Sequence, residues 1–243
     1  MKVCVFGAGA VGGNIATRLL AAGADEISVV ARGAMLQAMR EQGLTLRSGG
    51  KEVKAKPAVA TDDPSTLPAQ DLVLVTLKAH AAPGAAAAIA RLLAPQGCAV
   101  FLVNGIPWWW RHGLSGSSGP LPLLDPGGAL WTHLKPERAL GCVVHCPNDL
   151  VAPGVIAHTG VNHFILGEPA GSSSARLDAA AEMFHRGGID ARVSGDLRRD
   201  VWQKLVNNAS GNTLCALSRV DLGALGADPE LRALSISVMH ETL

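Results

Sequence analysis

Neither sign of charge dominates this 243-residue chain, in which 21 lysines and arginines face 20 aspartates and glutamates for a net charge of +1. That balance argues against the basic footprint of a nucleic-acid binder and the polybasic surface of a membrane-docking protein. A disulfide framework is missing as well. Cys4, Cys98, Cys142, Cys146 and Cys215 are odd in number and fall mostly in apolar runs, so they read as reduced core residues. Cys142 and Cys146 stand four apart in a β-like segment with no second pair to complete a tetrahedral set, and no metal site is expected. No apolar stretch is long enough to cross a bilayer. Lys2, the apolar run after it and the Ala-Gly-Ala that follows imitate a signal peptide, but a glycine fingerprint accounts for the same residues better. The expectation is a cytoplasmic protein. There is no internal repeat.

What is present points to a compact α/β chain: 48% hydrophobic residues, 28 glycines, and enough length for a full core in two domains. Val3 to Phe6 reads as a strand buried on both faces, and it runs straight into Gly7-x-Gly9-x-x-Gly12. The Ala/Ile/Leu-rich stretch from Ala10 to Ala22 then reads as a helix. Gly7 permits the tight turn off the strand, Gly9 lets backbone approach a pyrophosphate, and Gly12 lets helix and strand pack closely. Amides at the helix start would face the phosphates, where the helix dipole favours negative charge. The candidate dinucleotide-binding segment is therefore Gly7-Ala8-Gly9-Ala10-Val11-Gly12.

The next strand, Ile27–Val30, bears on which dinucleotide. An NAD enzyme usually carries an acid about twenty residues after the glycines to hold the ribose 2′-hydroxyl. Here the strand ends Val30-Ala31-Arg32, without that acid. An arginine can hold a 2′-phosphate bidentately, so NADP(H) is the expected cofactor. The alternative for Arg32 is a solvated helix-start residue.

Further along, a helix is expected to about Gln42, followed by a hairpin or two short strands, Leu44–Arg47 and Val53–Val59, split by Ser48-Gly49-Gly50. Asp71–Leu77 and Cys98–Val103 read as buried strands around an alanine-rich helix, Ala81–Leu93. Alternating strands and helices imply a parallel sheet with ligands over its C-terminal edge, where Lys78 and Asn104 would sit. Trp108, Trp109 and Trp110 open a long loop through Pro126, and at least one of them is expected to be exposed or at a contact surface. Arg138–Cys146, Gly154–Thr159 and Asn162–Leu166 read as an antiparallel extension. Ala175–Arg186 reads as a helix, Ala191–Val193 as a short strand, and the chain from Asp200 as helical to its end. The expected division is a dinucleotide-binding domain over residues 1–170 and an all-α domain over 171–243.

On that last helix Lys204, Asn208 and Asn212 are spaced i, i+4, i+8 and share one face. Asparagine and Gly211 are poor helix formers, so propensity alone does not select this segment. The stripe is either a solvated face or a row of amides and one ammonium turned to a polar ligand.

Four segments together resemble the ketopantoate reductase (2-dehydropantoate 2-reductase) family over essentially the whole chain. They are Gly7-Ala-Gly-Ala-Val-Gly12, Val75-Thr-Leu-Lys-Ala-His80, Asn104-Gly-Ile-Pro107, and the stretch Trp202 to Leu217 with Lys204, Asn208 and Asn212 in place. The resemblance implies a Rossmann domain followed by a helical domain of the phosphogluconate dehydrogenase C-terminal type, apparently incomplete. It implies NADPH-dependent reduction of 2-dehydropantoate, a small 2-oxo acid, to (R)-pantoate on the way to pantothenate and coenzyme A. In it Lys204 is the catalytic acid, Asn208 and Asn212 bind substrate with Lys204, and Lys78 and Asn104 orient the nicotinamide half of the cofactor. A homodimer is compatible with it. Two departures weaken the substrate assignment. The chain stops at Met239-His-Glu-Thr-Leu243, before the segment in which family members carry a substrate-contacting Ser and a Glu that works with the lysine; an incomplete record of a longer protein is expected, the alternative being a truncated and poorly active protein. One further substrate-binding Asn has no match near Val220-Asp221-Leu222. The rival readings are a reductase of another 2-oxo acid and a non-catalytic NADP(H)-binding sensor.

Overall fold

The computed structural model describes residues 1–23 and 26–243. Its strands are β1 (Lys2–Phe6), β2 (Glu26–Val30), β3 (Leu44–Ser48), β4 (Lys51–Ala55), β5 (Val59–Thr61), β6 (Gln70–Val75), β7 (Leu93–Phe101), β8 (Ala139–His145), β9 (Asn148–Ala152), β10 (Val155–His158), β11 (His163–Gly167) and β12 (Asp190–Val193). Its α-helices are α1 (Ala10–Ala21), α2 (Gly33–Glu41), α3 (Ala82–Leu92), α4 (Ala129–His133), α5 (Ala175–Arg186), α6 (Leu197–Asn207), α7 (Thr213–Ser218), α8 (Leu222–Ala227) and α9 (Pro229–Thr242). The chain divides into two compact units, Met1–Leu197 and Arg198–Leu243.

The first unit is built on an eight-stranded sheet in the order β12-β11-β8-β7-β6-β1-β2-β5. From β5 to β8 the neighbours are parallel, and β11 then runs antiparallel to β8 with β12 parallel to β11. The central strands read as unbroken apolar runs because helices cover both faces. Val3, Val5, Leu72, Leu74, Val100 and Leu140 form one core cluster with Ile15 and Leu19 of α1 and Phe184 of α5. This is the expected α/β arrangement with a parallel Rossmann-type sheet, followed by helices.

Several expected details are different. Residues 171–197 belong with the sheet, not with the helical unit, because β12 pairs with β11 and Phe184 of α5 packs on Phe164 with ring centroids 5.4 Å apart. The compact unit therefore extends past residue 170 to Leu197. The expected Val53–Val59 strand is two: β4 ends at Ala55, Pro57 follows, and β5 starts at Val59 beside β2 on the far edge of the large sheet. A proline has no N–H for a ladder, which separates the two pieces. The antiparallel extension is also partly rearranged. β8 joins the parallel set, only β11 runs antiparallel to it, and β10 leaves for a second sheet in the order β4-β3-β10-β9. In that sheet β3 and β4 form the expected hairpin, with Gly49 and Gly50 both at positive φ as a two-residue turn requires.

The second sheet lies on α1. A β-carbon on Gly13 would stand 2.6 Å from Ile156 Cδ1, so the glycine makes room for β10. Around that contact Asn14 Nδ2 donates to Asn148 Oδ1 at 2.6 Å, Arg18 Nε donates to Asn14 Oδ1 at 2.7 Å, and Arg18 Nη2 reaches Ser48 Oγ at 3.2 Å. Trp108 and Trp109 are buried and Trp110 is half-buried, so none of the three is fully exposed. Trp108 meets Phe101 edge-on at 5.5 Å and Trp131 at 6.4 Å.

The second unit is helical but not one continuous helix. α6 passes into a π-helical turn at Asn208–Asn212 before α7, and α7 ends where Arg219 takes a left-handed conformation (φ 60°). Asp221 and Asp228 restart helices by accepting backbone N–H bonds at their N-caps. Within this unit Trp202 Nε1 donates to the carbonyl of Thr242 at 3.0 Å.

Candidate functional site

The glycine turn sits where a parallel sheet presents its ligands, at the C-terminal end of β1. Gly7 has φ +107°, a conformation that side chains other than hydrogen rarely tolerate. Its N–H donates to Val30 of β2 at 2.9 Å and its carbonyl accepts from Thr76 Oγ1, so the turn is fastened to both flanking strands. A β-carbon on Gly12 would lie 2.1 Å from Gly7 O and 2.4 Å from Thr76 Oγ1, which makes that glycine a packing requirement. Gly9 differs: nothing lies within 4 Å of where its β-carbon would be. The protein itself does not need a glycine there, whereas a close-lying ligand would.

Gly9 is also the N-cap of α1, with no side chain capping the helix and no acid in its first turn. The first helical bond is Gly13 N to Gly9 O at 2.7 Å. The amides of Ala10, Val11 and Gly12 thus precede the helical ladder and remain as donors at the positive end of the dipole. Gly7, Ala8, Gly9 and Arg32 share a cavity of about 480 Å³, which is apolar along Leu77, Ala81 and Met35. Its size falls in the usual range for a bound cofactor. Turn, uncapped helix, apolar wall and a guanidinium fit an anionic dinucleotide.

Arg32 is exposed at the N-cap of α2 and lies on this wall, as the sequence led one to expect of a residue after β2. Lys78 follows β6 as the exposed N-cap of a short 3-10 turn, and Asn104 lies exposed beyond β7. Both are at the expected sheet edge, since β6 and β7 are adjacent and parallel. Neither lines the cavity. Leu150 of β9 does, and no local signal marked it, because its position depends on the second sheet lying over α1.

In the second unit Lys204 and Asn208 are half-buried and Asn212 is exposed. The three were expected on one face of a regular helix. Lys204 and Asn208 keep that α-helical spacing, whereas Asn208 to Asn212 is a π turn, wider and with less rotation per residue than a regular helix. Ser210 Oγ bonds back to the carbonyls of Val206 at 3.0 Å and Asn207 at 3.3 Å, a competition with the helical ladder that bends helices locally. Single-turn π insertions recur at functional sites, so the wide turn adds to the interest of the stripe.

The sequence pattern of the family described as ketopantoate reductase PanE/ApbA matches residues 3–109, and that of its C-terminal part matches residues 196–243. The chain belongs to the ketopantoate reductase family. This is a family of oxidoreductases, and its C-terminal pattern starts within two residues of the boundary between the structural units. The chain is 42% identical to a 2-dehydropantoate 2-reductase of Mesorhizobium japonicum, a match covering 99% of this chain and 74% of that protein. It is 30% identical to a 2-dehydropantoate 2-reductase of Halobacterium salinarum, covering 93% and 68%. A solved structure from Ralstonia solanacearum assigned to the ketopantoate reductases superposes with a TM-score of 0.93 at 39% identity, covering 99% of this chain and 75% of that one. A 2-dehydropantoate 2-reductase structure from Geobacter metallireducens gives 0.82 at 28% identity, covering 100% and 74%. Among the described residues no helix is long and apolar enough to cross a membrane, and no group of three or more His, Cys, Asp or Glu is arranged to hold a metal ion.

Proposed function

We propose that this chain reduces 2-dehydropantoate to (R)-pantoate with NADPH, in the route to pantothenate and coenzyme A. The observation that carries the reading is the 42% identity to a 2-dehydropantoate 2-reductase over 99% of the chain. NADPH rather than NADH is supported by Arg32, which lies on the wall of the cavity beside the glycine turn where NAD enzymes carry an acid.

When bound, the dinucleotide supplies the hydride to the ketone carbon of the substrate. In this reading the amides of Ala10, Val11 and Gly12 hold the pyrophosphate, and Lys78 and Asn104 orient the nicotinamide half from the ends of β6 and β7. Lys204 stabilises the negative charge that develops on the ketone oxygen and donates the proton that completes the alcohol. Asn208 and Asn212 hydrogen-bond the substrate, with the helical unit serving as the substrate domain.

The test is NADPH oxidation followed by absorbance, with 2-dehydropantoate and a panel of other 2-oxo acids. Turnover of 2-dehydropantoate well above the rest is expected. A preference for a different 2-oxo acid overturns the substrate, and NADPH binding without turnover of any 2-oxo acid overturns the catalytic reading in favour of a sensor.

A further inference from the structure

The cofactor cavity has a continuation. A second cavity of about 400 Å³ shares Phe6, Val30, Arg32, Gly84 and Ala85 with it and runs on between α3 and the 3-10 turn Pro64–Thr66. Its far end, at Arg91 and Leu92, lies toward the opposite edge of the sheet, because Leu93 of β7 pairs with Gln70 at the start of β6. Its near end is the ligand edge. Val30 of β2 pairs with Thr61 of β5, and the Ala31 amide donates to the Thr61 carbonyl at 2.9 Å. Asp62 and Arg32 therefore leave the same edge from two adjacent parallel strands, which stand about 5 Å apart.

Of the two acids at this end, the fold accounts for one. Asp63 caps the 3-10 turn, its Oδ1 accepting from Ser65 N at 2.9 Å and Ser65 Oγ at 2.6 Å. Asp62 is exposed, lines the cavity and has no hydrogen bond or ion pair with a described residue, Arg32 included. A carboxylate present only to balance Arg32 would be expected against it. Gly84, in the first turn of α3, is a second residue that the fold does not ask for. Nothing lies within 4 Å of where its β-carbon would stand, and alanine is the better helix former, yet a glycine lines both cavities here.

The adenosine half of a dinucleotide has to pass this point. With the pyrophosphate on the amides of α1 and the ribose beside Arg32, the base is carried past the end of β2 toward β5. A purine is apolar on its faces and polar on its rim. The surface of α3 at Gly84 and Ala85, with Phe6 and Val30 below it, suits the face. Asp62 suits the rim. An ionised carboxylate only accepts hydrogen bonds, and the exocyclic amine is the one N–H donor of the adenine ring system, its free ring nitrogens all being acceptors.

We propose that Asp62 reads the base of the cofactor, accepting a hydrogen bond from the exocyclic amine of adenine. The assignment rests on the dinucleotide reading of the cavity and holds for NADPH and NADH alike. It adds a residue that selects the base, where Arg32 in that reading selects the phosphate.

The test measures dissociation constants by nicotinamide fluorescence for NADPH, NADH and deamino-NADPH, whose hypoxanthine presents a carbonyl oxygen where adenine has its amine. The wild type should hold NADPH about tenfold more tightly than deamino-NADPH, as expected for a hydrogen bond to a charged group at an exposed site. Asp62→Ala should weaken NADPH and NADH by that same factor and leave deamino-NADPH no weaker, so that the preference for adenine disappears. Asp62→Asn should narrow the preference from the other side, since its amide can donate to the hypoxanthine oxygen. A wild type that binds NADPH and deamino-NADPH equally overturns the role of Asp62 and leaves the dinucleotide reading standing. Equal weakening of NADPH and deamino-NADPH by Asp62→Ala also overturns it, because the loss then lies outside the amine. Tighter NADPH with unchanged NADH in that variant would mean that the carboxylate only opposes the 2′-phosphate, and it overturns the proposal too. A wild type that binds neither NADPH nor NADH overturns both readings.

Discussion

The place a β-carbon on Gly12 would occupy is 2.1 Å from the carbonyl oxygen of Gly7, whereas the same place on Gly9 has no neighbour within 4 Å. Two glycines of one fingerprint therefore answer to different constraints, one to the fold and one to a ligand. Gly12→Ala should destabilise the protein by about 3 kcal/mol, because the clash is with backbone that cannot swing aside. Gly9→Ala should cost only about 1 kcal/mol, the usual loss when alanine replaces a tolerated N-cap residue, since Gly9 has φ −71°, a conformation alanine adopts without strain. It should nonetheless weaken NADPH binding by about tenfold or more, through the methyl pushed toward the pyrophosphate. Urea unfolding and nicotinamide fluorescence on the two variants separate the effects. Comparable unfolding losses in both would remove the distinction.

The fingerprint was readable because its three glycines, the strand before them and the helix after them are contiguous. Arg32 was readable for the same reason, as it closes the strand next in line. Sequence could not show what the second sheet contributes. β10 and β3 pair across more than a hundred residues, and what fixes their place on α1 is the missing side chain of Gly13 against Ile156. The Val53–Val59 run hid a change of sheet at Pro57, and residues 171–197 read as part of a helical domain although the short β12 ties them to the sheet. The Lys204–Asn208–Asn212 stripe was visible as a spacing, but the spacing assumed a regular helix. Gly211 and the back-bonding Ser210 were the local signs that it would widen.

Glu168 and Arg176 close the end of the large sheet. Arg176 Nε donates to Glu168 Oε1 at 2.8 Å and Nη2 to Oε2 at 2.5 Å, while Ser174 Oγ donates to Oε1 at 2.5 Å. Arg176 also donates to the carbonyls of Glu137 and Ala139, and the carboxylate beside it holds its guanidinium above the usual range. The acid is 5% exposed. Glu168→Gln leaves a half-buried cation without its counter-charge and should cost about 2–4 kcal/mol, the lower end reflecting solvent access to the arginine. Denaturant midpoints in the variant check it. A loss below about 1 kcal/mol would mean that water already screens the pair.

Burial pushes the Cys4 thiol up to about 12 and the Cys98 thiol to about 11. Each is neutral in the folded protein at a pH where the unfolded chain, with thiols near 9, has lost the proton. The unfolded state then binds fewer protons, so stability is intact below about pH 9 and falls as the pH rises from 9 toward 12. A thiol reagent at pH 8 should label half-buried Cys215 first and the four buried cysteines only on unfolding. Unfolding in urea at pH 8 and pH 10.5 should show the alkaline loss, reduced in Cys4→Ala. An equal loss in that variant would place its origin elsewhere.

Lys204 supplies the only ammonium on the polar stripe, with Asn208 one regular turn after it and the π turn between Asn208 and Asn212. If it donates the proton, Lys204→Ala should lower kcat by about a hundredfold or more while leaving the NADPH dissociation constant within about twofold, since none of the cavity's walls is touched. Asn208→Ala should act mainly on the KM for the 2-oxo acid, as expected for a group that binds ground and transition states alike. The split is the informative part. A lysine that only shaped the helix would change stability and both kinetic constants together, and near wild-type kcat in Lys204→Ala would put the proton donor on another residue.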